Sequence, residues 1–472
     1  MPPRLPALLA DPPAGGARLW LTGGRLFDGT GSPVREGAAV LLADGRIEAV
    51  GRAGDGVPEG ATVIELDGRT LLPGLIDAHA HIKVDRPTPD PGAEPLRPGA
   101  DAHFLAADLR EALRRGITTV RDVGSYGDLV FEARQGMRYG AFRGPRLLTC
   151  GRIVSATAPG GWFFDGMYRE ADGPDDVRRA VREQLRRGAD FIKVMTTGAR
   201  SVELEDPDPA QLTREEIATL VEEAHRQGYR VAAHAEGVAG TEIAILEGID
   251  TIEHGMYLCQ RPELLERMAR ADQVLVPTLS CFYGVAGVED RDAGDGPGFE
   301  DGGAGDSADD GPWSWAPARA GQPPAPTWSA LLVELAEHNL EQADLTLRAA
   351  KAAGVRLAVG HDWHPFWNTA VEIRRMAAHG LTAAEALAAA TSGSAYALGL
   401  DDRAGTLTPG KLADLVVIDG DPLSGLELLE QRDSIWLVIQ RGAVVGGTAV
   451  ERHAADLAPA RSVAALASEP SR

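Results

Sequence analysis

Leu71-Leu72-Pro73-Gly74-Leu75-Ile76-Asp77-Ala78-His79-Ala80-His81 is a short apolar run that ends in two imidazoles one residue apart. In a strand, residues i and i+2 face the same way, so His79 and His81 share one face at its C-terminal end. Seven more strand-like segments follow in order: Thr118–Asp122, Arg146–Cys150, Phe191–Met195, Arg230–His234, Thr251–His254, Val274–Thr278 and Arg356–Asp362. Amphipathic runs such as Asp175–Arg187 and Thr213–Gln227 lie between them. Alternating strands and helices imply parallel strands. Eight such units within roughly 300 residues suit a closed barrel better than an open sheet. The predicted fold is therefore α/β, a (β/α)8 TIM-type barrel over residues 71–404.

The ends of the chain have a different texture. Residues 17–70 and 405–450 are short alternating segments with tight turns such as Asp44-Gly45-Arg46. Both ends are expected to build one small β-sandwich-like domain beside the barrel. Residues 284–327, rich in Gly, Asp, Ala and Pro, read as a flexible insert after the seventh strand. The proline-rich stretch 85–98 after the first strand has the same texture, and 453–472 reads as a disordered tail.

Composition narrows the classes of function. The chain has 472 residues, 44% of them hydrophobic, enough to bury a sizeable core. Its formal charge of −22 argues against nucleic acid or an anionic membrane as the main partner. No stretch approaches the ~20 apolar residues of a membrane span. Residues 1–11, interrupted by prolines, do not read as a signal peptide. Cys150, Cys259 and Cys281 form no CxxC pair and are expected to be small buried hydrophobes. So sparse and odd a count fits a reducing, cytoplasmic setting.

The chemistry-bearing residues cluster at the ends of these segments. His234 closes the fifth, His254 the sixth and Asp362 the eighth, each after an apolar run. Any one alone would be an ordinary buried, hydrogen-bonded residue. Together with His79 and His81 they form a set of imidazoles and a carboxylate of the kind that binds zinc and similar ions. Lys193 sits inside Phe191-Ile192-Lys193-Val194-Met195. A charged amine there is costly unless compensated. Either it snorkels to the rim, or desolvation and nearby cations lower its pKa. A neutral amine could capture carbon dioxide as a carbamate.

With these residues in hand, the segment Pro73 to His81 resembles the first-strand signature of the amidohydrolase superfamily. Ile192-Lys193, Ala233-His234-Ala235-Glu236-Gly237, Ile252-Glu253-His254-Gly255, Val359-Gly360-His361-Asp362 and the closing Gly410-Lys411-Leu412-Ala413-Asp414-Leu415-Val416-Val417 resemble its later motifs in order. Within it the chain is similar to the imidazolonepropionase-like and prolidase-like group with a carboxylated strand-four lysine. The resemblance implies a hydrolase of amide-type C–N bonds, dipeptidase-like, acting on a dipeptide or N-acyl amino acid. It implies two divalent ions, zinc in many members. His79, His81 and Asp362 would hold one ion and His234 and His254 the other. Carboxylated Lys193 and a hydroxide would bridge them, with Asp362 as the catalytic acid–base. A mononuclear deaminase or cyclic-amide hydrolase on the same scaffold is the alternative, and Lys193 argues against it.

Where many relatives have Gly-Thr-Asp, this chain has Gly360-His361-Asp362, followed by Trp363-His364-Pro365. Alternation turns His361 away from the face of Asp362, whereas His364 is a candidate for contact with substrate. Arg200, after the fourth strand, is a candidate for a substrate carboxylate. Tyr257 joins it among the loop aromatics Tyr126, Trp162, Phe163, Phe164, Tyr168 and Tyr283. The expected partner is a small-molecule amide, with self-association as in many relatives.

Overall fold

The computed structural model describes residues 18–82, 99–202, 204–286 and 330–450. The tail at 453–472, the 85–98 stretch and nearly all of the 284–327 insert lie outside the described residues. The insert's first three residues instead finish a helix, Leu279–Ala286. Gly284 there packs against Trp363, where an added Cβ would lie 1.7 Å from the indole.

The fold is α/β, and each of the eight expected strands is present, Thr251–His254 with its expected bounds and the others with altered ones. The first splits at Gly74 into Thr70–Pro73 and Leu75–Ala80. A Cβ at Gly74 would stand 2.3 Å from the Thr118 hydroxyl, so only glycine lets the chain pass this close as it changes sheets. The eighth is ladder-paired only over Arg356–Leu357, and Ala358 and Val359 beyond it make single backbone bonds to Leu275 and Ala78.

The parallel strands fall into two sheets. Leu75–Ala80, Ile117–Asp122 and Arg146–Thr149 form one of three strands. The other has seven, in the order Tyr168–Glu170, Ile153–Ser155, Ile192–Met195, Val231–Ala235, Thr251–His254, Val274–Val276 and Arg356–Leu357. The first two of these, each only three residues long, fell below the length at which alternation is legible in the sequence. Single backbone hydrogen bonds, not ladders, cross the seams. Ala78 N–H donates to Val359 O (2.7 Å), Asp362 N–H to His79 O (3.0 Å) and Asp190 N–H to Thr149 O (2.8 Å).

Helices follow local rules. Pro174–Arg187 starts with proline and two aspartates and stops at Gly188, φ 98°. Arg214–Arg226 is opened by a capping box between Thr213 and Glu216. Strands from residues 19–73 and 415–446 meet in an eight-stranded sheet, where Thr70–Pro73 pairs antiparallel with Leu415–Ile418. Leu21, Leu42, Leu415 and Val417 share one buried cluster there. Strands Arg35–Ala43 and Arg46–Arg52 turn through Asp44 and Gly45, both at positive φ. A buried ion pair, Arg146 to Asp414 at 2.9 Å, ties this sheet to the three-stranded one.

Of the cysteines only Cys150 is buried; Cys259 and Cys281 are partly exposed, which corrects the expectation for those two. No described helix is long and apolar enough to cross a membrane.

Candidate metal centre

The parallel register sets the site. Met195 pairs with His234, and Ala235 with His254, so strand ends carrying imidazoles lie side by side. Ring centroids are 5.5 Å apart for His79 and His81, 5.2 Å for His79 and His254, and 4.6 Å for His234 and His254. Asp362 Oδ1 lies 3.5 Å from Nε2 of both His79 and His81, and its Oδ2 lies 4.0 Å from His254 Nδ1. Lys193 is 2% exposed. All six line one cavity of about 790 Å³, open mouth included. Donor atoms of His79, His254 and Asp362 lie within 4.8 Å of one another, close enough to share an ion.

Each imidazole has one ring nitrogen committed to the protein. His81 Nδ1 faces the Gly124 carbonyl at 2.7 Å, and His234 Nε2 faces the Gly198 carbonyl at 3.2 Å. A carbonyl only accepts, so both nitrogens carry the proton. His254 Nδ1 faces Thr278 Oγ1 at 2.6 Å, and that hydroxyl donates to the Pro277 carbonyl at 2.8 Å. The hydroxyl's proton is spent, so His254 Nδ1 donates. His79 Nδ1 donates to Glu253 Oε2 at 2.7 Å. In the neutral rings the remaining nitrogens (Nε2 of His79, His81 and His254, and Nδ1 of His234) keep their lone pairs, as metal ligation requires; at His79 burial favours that neutral ring, but Asp362 and Glu253 outweigh it and raise the imidazole.

Among the residues lining this cavity, three buried side-chain atoms have no hydrogen-bond partner: His79 Nε2, Lys193 Nζ and Arg200 Nε. Buried polar atoms are rarely left so, and a cation beside His79 would satisfy its lone pair. Burial lowers the Lys193 amine to about 8, against the pull of Glu253 and Asp362. Burial also drives His81 to about 4 and His234 to about 3, keeping both neutral at pH 7. Burial alone would raise the Asp362 carboxyl, but the surrounding imidazoles hold it well below the usual carboxylate range. The donor set therefore fits divalent ions.

His254 and Asp362 have φ of 68° and 45°, the left-handed region that non-glycine residues avoid at a cost of order 1–3 kcal/mol. At His254 the bend breaks the alternation that would send neighbouring side chains to opposite faces. Both Glu253 and His254 consequently reach the site.

Several supporting residues were not read from the sequence. Glu253, fully buried, bonds His79 and takes Arg121 Nη2 at 2.8 Å. Arg121 also donates to the Ala78 carbonyl at 2.5 Å, ahead of His79. Asp77 accepts from His79 N–H at 2.9 Å and from Thr369 at 2.7 Å. The available signal was a charge inside each apolar strand: Glu253 in Thr251-Ile252-Glu253-His254, and Arg121 in Thr118–Asp122.

Among the substrate candidates, Arg200 lines the cavity and stacks 5.2 Å over the Tyr257 ring. Tyr257 does not line the cavity; its hydroxyl bonds Asn339, which does, at 2.8 Å. Phe164 and Tyr168 line it, whereas Trp162 is 77% exposed. Glu236, two residues after His234, also lines it and accepts Arg200 N–H at 2.9 Å. His364 is outside the cavity lining, and the His361 ring turns to the Trp363 carbonyl at 3.1 Å.

The sequence matches the amidohydrolase family over residues 70–445. It is 30% identical over 456 residues to an ochratoxinase of Aspergillus niger, covering 90% of this chain and 86% of that one. Among solved structures it is similar to a Xaa-Pro dipeptidase with bound methionine in the active site, with a TM-score of 0.76 and 25% identity, covering 91% of this chain and all of that one. The A. niger ochratoxinase structure gives a TM-score of 0.74 at 25% identity, covering 92% of this chain and 96% of that one. A family match over residues 70–445, with a relative 30% identical over most of both chains, makes this protein a member of the amidohydrolase family, a hydrolase acting on carbon–nitrogen bonds.

Proposed function

We propose that the protein is a binuclear metal-dependent amidohydrolase that cleaves dipeptides or N-acyl amino acids. His79, His81 and Asp362 would hold one divalent ion, zinc being suited to this donor set, and His234 and His254 the second. Lys193, carboxylated by carbon dioxide, would lie between them. The observation that carries the reading is the orphaned pair His79 Nε2 and Lys193 Nζ, buried within a ring of tautomer-locked imidazoles. Bound ions of this kind lower the pKa of water and polarise a carbonyl.

The chain's own groups do the rest. Asp362 is ionised at neutral pH, so it starts as the proton acceptor from the attacking water and then hands that proton to the leaving nitrogen. Arg200 offers its guanidinium to a substrate carboxylate, with Tyr257 beneath it. In this reading the eight expected strands of the two parallel sheets form one (β/α)8 barrel over 71–404, with Ile153–Ser155 and Tyr168–Glu170 as additions to it, and the residues of 17–70 and 405–450 form a small β-domain beside it.

One observation favours a second reading, a mononuclear deaminase or cyclic-amide hydrolase. Among the described residues, a single tight donor group is present: His79, His254 and Asp362. Elemental analysis separates the two, with about two ions per chain expected for the binuclear enzyme and one for its rival. A metal-replete preparation that hydrolyses no dipeptide or N-acyl amino acid would sink the proposed activity.

A further inference from the structure

One wall of the cavity has no part in the chemistry above. Ile153, Phe164, Met167, Tyr168, Met195 and Ala199 face the cavity and belong to one continuous apolar cluster. Apart from Met195 and Ala199 they come from the excursion between the third and fourth expected strands: strand Ile153–Ser155, helix Pro159–Phe163 and strand Tyr168–Glu170.

The wall is held firmly. Ile153 N–H donates to Met167 O at 3.0 Å, and Met167 N–H to Phe164 O at 2.9 Å. The Glu205 carboxylate accepts Gly160 N–H at 2.6 Å and Ala199 N–H at 2.8 Å, clamping the excursion to the loop after the fourth strand. The Phe164 and Tyr168 rings lie 5.4 Å apart.

The wall also borders the reacting centre. Met195 and Lys193 are two apart on one strand and so share a face. Ile153 packs on Gly124, where an added Cβ would lie 2.6 Å from Ile153 Cδ1, and the Gly124 carbonyl orients His81. A substrate group lying on this wall therefore shares one cavity with the imidazoles, Lys193 and Asp362. Water against such a surface makes few hydrogen bonds, and an apolar group displaces it favourably.

Resting on the hydrolase reading above, we infer that this wall is a specificity pouch for a bulky apolar substituent, aromatic or long aliphatic, carried next to the scissile amide. Small, polar and charged substituents leave it unfilled or unsatisfied and are discriminated against.

Calorimetry on the protein as purified, using products that cannot be turned over, tests the pouch apart from catalysis. The pairs are phenylacetate against acetate for the acyl side and phenylalanine against glycine for the amine side. At least one pair is expected to favour the bulky member by about 10-fold or more. Phe164→Ala should bring that ratio close to one while leaving acetate and glycine binding unchanged. Ala199→Leu, which fills the pouch and does not depend on Phe164→Ala folding, should do the same. No preference in either pair, or a preference that survives in both variants, overturns the pouch. The matching kcat/KM series on N-acyl amino acids separates the two readings. Bulky-product preference without hydrolysis of any N-acyl amino acid leaves the pouch standing and removes the proposed substrate class.

Discussion

Replacing Glu253 with glutamine keeps the side chain's shape but removes the charge that holds His79 and Arg121 together. Its carboxylate contacts His79 Nδ1 at 2.7 Å, Arg121 Nη2 at 2.8 Å and Thr251 Oγ1 at 2.5 Å, all buried. Burial would raise this carboxyl, but Arg121 and Lys193 hold it far below the usual range, so the charge is present at every working pH. Removing one partner of a buried ion pair costs about 3–5 kcal/mol, because the other charge is left uncompensated. Arg121 keeps the Ala78 carbonyl and lies 5.2 Å over the Phe191 ring, which places the expected loss near the lower end, about 3 kcal/mol. A weaker acceptor at Nδ1 also makes His79 a poorer ligand, and such outer partners are worth about 10–100-fold in metal affinity. Chemical denaturation measures the first effect and chelator competition for zinc the second. The double variant Arg121→Met, Glu253→Leu should recover part of the lost stability. A Glu253→Gln protein with unchanged unfolding midpoint and unchanged metal affinity would show that Glu253 neither balances Arg121 nor tunes His79.

Gly360→Ala should cost at least about 1–3 kcal/mol from overpacking, since its methyl would meet His79 Cβ at 2.3 Å and Val276 Cγ1 at 2.7 Å; it should also lower kcat about 100-fold by displacing the ligand, and wild-type kcat would refute this. Asp362→Asn is expected to keep the fold by circular dichroism and lose most turnover; full activity would remove Asp362 from proton transfer. Carbamate formation on metal-free protein, followed by carbon-13 NMR with labelled bicarbonate, should rise as pH increases through about 8 and then level off. The sign follows from burial lowering the Lys193 pKa from 10.5: only the neutral amine attacks carbon dioxide, and it dominates above the lowered value. A signal that rises only near pH 10 would mean the amine is not desolvated. Arg200→Met should raise KM for carboxylated amides about 10-fold or more and leave KM for their neutral methyl esters nearly unchanged; equal effects on both would argue against carboxylate recognition.

Local sequence was enough for the strand ends and their imidazoles, because alternation is a property of neighbouring residues: His79 and His81 needed no tertiary information to be placed on one face. Apolar runs followed by His234, His254 and Asp362 were legible for the same reason. Exact bounds were not. The break at Gly74 depends on Thr118, which is distant along the chain, and the Ile153–Ser155 and Tyr168–Glu170 strands are too short to show a period.

Tertiary structure alone decided which nitrogen of each imidazole is free, since the acceptors Glu253, Gly124, Gly198 and Thr278 come from other segments. It also decided that neighbours Glu253 and His254 both serve one site, through a left-handed bend at His254 that alternation forbids. Among similar loop aromatics it set Phe164 against the cavity and Trp162 in solvent. The sequence by itself thus determined which side chains are available at the strand ends. Their protonation, orientation and neighbours were decided by long-range packing, because burial and hydrogen-bond partners are properties of the folded chain.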